Sequence, residues 1–284
     1  MESLVQYIRR MLGISQEQLA GLLGTSSVSV NRWENGKSQP SLMAQRQIYA
    51  LCKSKGMELS DEIVTSLRGE TTADGMILYH GSRSGLNGPI RPTSRSRCDF
   101  GRGFYMGTDP LQPLTLICNE DKPVFYCLEV EMEGLKCLNV DIGLHWAMLI
   151  AYYRGYLDEV KDSEIYEKYA HMGDGYDVIS GCIANDRMYQ VLTDFFEKRI
   201  TDSAMIGSLS ALDLGKQYVA ITEKACDRIR VLSERNLSQL ELMILRDRSI
   251  MRRKEGVSLA EKAALEHRRD GRYFDEILKG AELE

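Results

Sequence analysis

A histidine set where a strand stops is a directed hydrogen-bonding group, and Met76-Ile-Leu-Tyr79 leads straight into His80, Gly81 and Ser82. The imidazole offers a donor and an acceptor, and the neighbouring glycine lets a ligand approach the backbone. Further on, Asp99-Phe-Gly-Arg-Gly-Phe-Tyr105-Met-Gly-Thr108 sets three glycines around two aromatics. That composition predicts a tight loop presenting a flat ring, suited to stacking on a planar heterocycle. Gly101, Gly103 and Gly107 come close to the glycine fingerprint of dinucleotide-binding turns. Met106 stands where the third glycine belongs, however, and no βαβ unit surrounds the loop, which excludes that reading. Asn185-Asp186-Arg187 is a second polar grouping. Its Asp186 either carries chemistry or caps the helix that begins near Arg187. Gln217 opens an apolar stretch, Glu223 reads as a solvated helix-start residue, and Asp99 as a brace for its own loop. His145, His171 and His267 share no metal-ligand spacing with one another or with a cysteine pair, so no metal site is expected.

These groups need a scaffold, and the chain is long enough for two domains. Its 284 residues include 36 Lys+Arg, 41 Asp+Glu and 43% hydrophobic residues, for a net charge of −5. A charged fraction of 27% with only six prolines excludes a mainly disordered chain. No apolar run reaches the roughly 18 residues of a membrane span, and MESLVQYIRRMLG lacks the pattern of a secretory leader. Seven cysteines, an odd number without a CxxC pair, read as reduced thiols. Together these features predict a cytoplasmic protein with no membrane partner. Residues 1–66 carry a charge of +1, the tail 236–284 is neutral, and the middle holds −6. The strongly basic face that usually accompanies nucleic-acid binding is therefore absent from the totals, and DNA binding must rest on local placement.

Along the chain, Leu4, Ile8, Leu12, Leu19, Leu22 and Leu23 recur at helical spacing, broken by Gly13 and Gly24. Ser15 with Gln18 forms a capping box for a helix over 15–23, and Thr25 or Ser26 caps the next, running towards Trp33. Asn35-Gly36 marks a turn, Pro40 opens another helical stretch, and some 65 residues hold about five short helices. LRGETTADG, 67–75, reads as a linker. Strands are predicted at 76–79, 124–130, 176–179 and 217–221, with helices at 144–156, 187–197 and 201–211. In the tail, Ser238 with Glu241 and Ser258 with Glu261 each predict a helix start, and Arg252-Arg253-Lys254 and Arg268-Arg269 read as solvated faces.

Two stretches carry resemblances. ISQEQLAGLLGTSSVSVNRWENGKSQP is similar to the phage-repressor-like (Cro/C1, XRE) helix-turn-helix, whose second helix lies in the major groove. Carried over by position, Gln16 would contact phosphate while Ser27, Val28 and Arg32 face base edges. The Arg32 fork can hold guanine O6 and N7 together. By analogy with repressors that bind paired half-sites, the resemblance also implies a homodimer.

YHGS, DFGRGFYMGTD, YDVISGCIANDRMY and GKQYVAITEKA, in that order, resemble a bacterial domain-of-unknown-function family. That family is grouped with the ADP-ribosyltransferase fold, in the diphtheria-toxin and poly(ADP-ribose) polymerase branch. The likeness spans about 76–232 and implies a split-sheet α+β domain with NAD as co-substrate. The branch uses a His, Tyr and Glu triad, and His80, Tyr105 and Gln217 fall at those places. His80 would bond a ribose hydroxyl of the adenosine half, the Gly81 backbone the carboxamide, and Tyr105 would stack on nicotinamide. Gln217 would grip the other ribose, without the charge a glutamate brings, and Asp186 is the spare carboxylate. Ser82, Gly103, Phe104 and Asn185 complete the implied cofactor site. The expected fold is thus an all-α helix-turn-helix bundle (1–66), a linker (67–75), an α+β domain (76–232) and a helical tail (236–284). The implied activity is transfer of ADP-ribose to an unidentified protein or nucleic-acid acceptor, in a toxin or phage-defence effector with an antitoxin partner. The alternative is a transcriptional regulator whose catalytically weak domain senses NAD or ADP-ribose.

Overall fold

A computed structural model describes residues 2–67, 75–182, 186–210, 215–267 and 270–280. Five helices open the chain: α1 (Leu4–Met11), α2 (Gln16–Leu22), α3 (Ser27–Glu34), α4 (Leu42–Ser54) and α5 (Ser60–Leu67). Each start has a local cause. Ser15 accepts from the Gln18 amide while the Gln18 side chain accepts from the Ser15 amide, closing the capping box. Ser26, rather than Thr25, caps α3, and Gly24 takes the left-handed turn between the helices at φ +59°. Val5, Ile8, Leu19, Val30 and Ile48 meet in the interior.

The rest of the chain builds one seven-stranded sheet. Its strands are β1 (Met76–Ser82), β2 (Phe104–Gly107), β3 (Val124–Val130), β4 (Cys137–Val140), β5 (Val178–Cys182), β6 (Lys216–Ala220) and β7 (Ile229–Asn236). They lie in the order β4-β5-β6-β2-β1-β3-β7, and only β4 and β5 run parallel. β1 pairs with β3 along its whole length but with β2 at one position, Tyr79 opposite Gly107. The sheet therefore comes apart into two halves beside that pair.

Side chains alternate across the sheet, as the two-residue period of a strand requires. Tyr79, Phe125 and Cys127 face one side, whereas Leu78, Tyr126 and Leu128 face the other. In the second half, Tyr105, Ile179 and Val219 pack under α7 (Leu144–Arg154) and its neighbours α8 (Glu164–Ala170), α9 (Asp186–Phe196) and α10 (Asp202–Ser210). In the first half, Tyr79, Phe125 and Cys127 join the same core as the five N-terminal helices. α6 (Leu111–Ile117) and the start of α12 (Gln239–Glu266) complete that core. The short α11 (Glu223–Cys226) and α13 (Phe274–Lys279) close the set.

The bundle and the sheet are thus clasped together, and α12 is the clasp. Leu240 donates its buried amide to Gln45 Oε1 at 2.8 Å. Asp247 accepts from the Tyr49 hydroxyl at 2.5 Å and from Lys53 at 3.1 Å. Arg246 donates to the Cys118 carbonyl at 2.7 Å. Ser238 and Glu241 form the expected capping box.

Several expectations need correction. Ser258 and Glu261 start no helix, because α12 runs unbroken through them from Gln239 to Glu266; its packing against α4, α6, α9 and α10 carries the helix past a local start signal. Arg252 is not a solvated residue but reaches Asp109 at 3.4 Å. The loop expected around Phe104 and Tyr105 contains strand β2. A Cβ on Gly103 would come within 2.3 Å of Val219 Cγ1, so the glycine lets β2 settle against β6. β4 and β7 were not expected, and β7 extends past residue 232. Most of the linker stretch lies outside the described residues.

Candidate functional site

Where β1 and β2 part, a cleft of about 820 Å³ opens, within the range typical of small-molecule sites. β1 contributes Tyr79, His80 and Gly81, β2 contributes Tyr105, Met106 and Gly107, and β6 contributes Gln217. Gln112, Pro113 and Leu116 of α6 form one wall, and Arg154, Gly155 and Tyr156 at the end of α7 form another. Arg95, Arg97, Cys98 and Asp99 complete the lining.

His80 is held by its neighbours on two sides. Its ring lies 4.4 Å from that of Phe104, centroid to centroid, and Nδ1 bonds the Tyr105 carbonyl oxygen at 2.7 Å. A carbonyl can only accept, so Nδ1 carries the proton and Nε2 is left as an acceptor. Burial lowers the imidazole pKa, and the bond to the Tyr105 carbonyl only partly offsets this. His80 is a neutral hydrogen-bonding group. Gly81 is required by packing, since a Cβ would meet Pro113 O and Ile117 Cγ2 at 2.9 Å.

Tyr105 is pinned across its own loop. Its hydroxyl donates to the Gly101 carbonyl at 2.8 Å and accepts from the Phe100 amide at 3.0 Å. Burial pushes the phenol far above its ordinary pKa, so it stays neutral and acts as a flat wall. Gly101, at φ +70°, sits against the ring of Tyr153, where a Cβ would come within 2.5 Å. Gln217 is 5% exposed, and its Nε2 donates to the Cys182 carbonyl at 3.2 Å, which Trp146 Nε1 also bonds.

Three of the four expected catalytic residues, His80, Tyr105 and Gln217, line this cleft together with Gly81. Ser82 does not line it, and its hydroxyl donates to the Gly85 carbonyl at 2.9 Å. Phe104 lies behind His80, and Gly103 serves the contact between β2 and β6. Asn185 and the side chain of Asp186 lie outside the described residues. Glu223 is an exposed helix-start residue 3.8 Å from Arg91. Among the described residues lining the cleft, Asp99 is the one carboxylate, and it is committed to Arg154 at 2.5 Å. Asp99 thus ties its glycine loop to the end of α7. No group of described residues has the make-up of a metal site. Sequence reasoning missed Tyr156, Arg95, Arg97 and α6; the only signal was the arginine-rich run Arg95-Ser-Arg97 beside the glycine loop.

The helix-turn-helix face is built differently. Val28 is 66% exposed, and Arg32 and Asn31 are exposed beside it on α3, with Ser27 half-buried at its start. Gln16 is engaged within the bundle: its Nε2 donates to Glu34 at 2.7 Å, and its Oε1 accepts from Asn31 at 3.4 Å. Glu34 also pairs with Arg9 at 2.6 Å. Burial pushes the Glu34 carboxyl up, but the bonds from Arg9 and Gln16 outweigh it and leave the pKa below its ordinary value. This network fixes α2 against α3 and α1.

Residues 76–231 match the family described as Protein of unknown function (DUF3990), which covers more than half of the chain. The chain belongs to that family. The DUF3990 match takes in all of the cleft-lining residues and six of the sheet's seven strands whole. Residues 5–44 match the helix-turn-helix family, a DNA-binding region that runs from α1 through α3 into the start of α4. No curated protein and no solved structure matches the chain. No helix among the described residues is long and apolar enough to cross a membrane.

Proposed function

We propose that the DUF3990 domain is an NAD-dependent ADP-ribosyltransferase. It would transfer ADP-ribose to a macromolecule and release nicotinamide, with the helix-turn-helix region either regulating its own operon or delivering the enzyme to nucleic acid. The observation that carries this reading is the cleft at the sheet's split, where His80, Tyr105 and Gln217 converge from three strands. Nε2 of His80 is free to accept from a ribose hydroxyl. The Tyr105 ring offers a face for nicotinamide, and the Gln217 amide can bond the adjacent ribose. In the reaction the bond between ribose C1′ and the nicotinamide nitrogen breaks. Nicotinamide leaves with the electron pair, and the acceptor's nucleophile forms the new bond to C1′. The site's work is to hold both ends of NAD and to orient polar groups towards the cationic ribose.

One observation favours a second reading, a regulator that binds NAD or ADP-ribose without turnover. Gln217 is neutral and already bonded to Cys182, and Asp99 is tied to Arg154. Under the transferase reading, Asp186 is the remaining carboxylate for the site. A toxin or phage-defence role, an antitoxin partner and a homodimer belong to the same proposal.

Nicotinamide release from NAD by the purified full chain tests it, with and without cell lysate and beside Gln217→Ala. Lysate-dependent release that falls in the variant supports the transferase. Binding of NAD without release, in both proteins, supports the sensor instead. Neither binding nor release defeats both readings.

A further inference from the structure

The chain is acidic overall, yet the mouth of its cleft is not. Among the lining residues the charged side chains are Arg95, Arg97, Arg154 and Asp99, and His80 is neutral for the reason given above. Arg154 cancels Asp99 in a largely shielded pair. That leaves two exposed guanidinium groups on the lining, in a domain region whose total charge is −6. No carboxylate of the described residues pairs with Arg95. Among the described residues Arg97 reaches only Asp158, at 3.4 Å, and Lys161 shares that carboxylate at 3.8 Å.

Arg97 has a built seat. The C-cap of α7 is Gly155, in the left-handed conformation at φ +85°. A Cβ there would come within 3.3 Å of the Arg97 guanidinium carbon and 3.1 Å of Asp158. One glycine therefore ends the helix and also gives the arginine a flat bed beside the cleft. Just beyond the two arginines the chain is tied down at Asp99 by Arg154 and at Phe100 and Gly101 by the Tyr105 hydroxyl.

We infer that Arg95 and Arg97 form a diphosphate-binding clamp at the mouth of the cleft. Two guanidinium forks match the two charges of a diphosphate bridge and its paired oxygens, which arginine grips in bidentate fashion. The clamp deepens the proposed dinucleotide reading: the adenosine and nicotinamide halves would lie on either side of it. It also assigns the cleft an anionic ligand class independent of whether turnover occurs.

The test is calorimetry on the full chain with inorganic pyrophosphate, ADP-ribose, NAD and free nicotinamide. It compares wild type with Arg95→Ala, Arg97→Ala, the double variant, and the double lysine variant. Each alanine should weaken ADP-ribose and pyrophosphate about tenfold, the size expected of a charge-assisted hydrogen bond. The salt dependence should flatten, and nicotinamide binding should be unchanged. Lysine should restore part of the affinity, because it keeps the charge and loses the fork. Both side chains are exposed, so the melting temperature should not move, which separates binding from folding. Pyrophosphate binding through the arginines without any NAD or ADP-ribose binding would uphold the clamp and sink the dinucleotide reading. Unchanged ADP-ribose affinity in the double variant overturns the clamp and leaves that reading standing. Failure of wild type to bind any of the four overturns both.

Discussion

Removing Asp99 or Arg154 should loosen the loop that carries both arginines and the Tyr105 anchor. The two side chains are 15% and 14% exposed, and Asp99 Oδ1 accepts from Arg154 at 2.5 and 3.1 Å. Breaking one partner of a fully buried pair costs about 3–5 kcal/mol, because the other charge is left stranded. Partial exposure lets water screen the survivor, so about 2 kcal/mol is the expected cost of Asp99→Ala or Arg154→Ala. For a chain of this size that corresponds to a fall in melting temperature of roughly 3–4 °C. The double variant should cost much less than the two singles added, giving a coupling of about 1–2 kcal/mol in a double-mutant cycle. Hydrogen exchange supplies an independent readout at the Phe100 amide, which donates to the Tyr105 hydroxyl and should exchange faster in both singles. Additive losses, with coupling below about 0.5 kcal/mol, would refute the claim that this pair holds the loop.

Five other outcomes follow. Because the folded pKa of Glu34 is depressed, its stabilisation is full above the ordinary carboxylate pKa and is lost as pH falls through the folded value. Melts from pH 7 down to acid should show wild type losing its advantage over Glu34→Gln, whereas a constant difference would contradict the assignment. His80, a base with a lowered pKa, destabilises the fold only as pH drops below about 6.5, where the unfolded chain takes a proton that the folded one refuses; an imidazole resonance titrating at or above that value would disprove its neutrality. Arg32→Ala should weaken binding to DNA selected from a random pool by about 1–3 kcal/mol and relax preference at one base position, and equal loss on every sequence would demote Arg32 to a phosphate contact. Gln45→Ala orphans the buried Leu240 amide and should cost about 1–3 kcal/mol. The clasp further requires that bundle and sheet melt in one transition, so two separated transitions in wild type would argue against it.

The parts of this architecture that were legible in the sequence are those whose cause is local. Ser15 with Gln18 and Ser238 with Glu241 each satisfy their own helix start within four residues, so type and spacing suffice. Val124–Val130 is apolar but for Glu129 and forms the buried strand it suggests. Ser258 with Glu261 has the same local form but lies inside α12, where packing against other helices decides the outcome. β2 was hidden because glycine reads as a turn residue, whereas Gly103 is there to fit β2 against Val219. β7 was hidden because it is an edge strand with Arg230, Glu234 and Arg235 on it, the charge pattern that protects such an edge.

The site divides in the same way. His80 and Tyr105 could be singled out because an apolar run leading into a histidine and a glycine-flanked ring are local signals, although β1 does not stop at His80 but continues through it, paired with Tyr126, to Ser82. Arg95 and Arg97 were not singled out, because it is the fold that brings their loop to the cleft. The contact between Gln45 and Leu240 joins positions 195 residues apart and has no local signature at all.

The central claim is that the parted strands β1 and β2 form a seat for NAD. A crystal structure of the full chain with a non-cleavable NAD analogue tests it most directly. The account predicts the nicotinamide ring against Tyr105, a ribose hydroxyl donating to His80 Nε2, and the diphosphate between Arg95 and Arg97. An analogue bound elsewhere, or a cleft without density at saturating concentration, would contradict it.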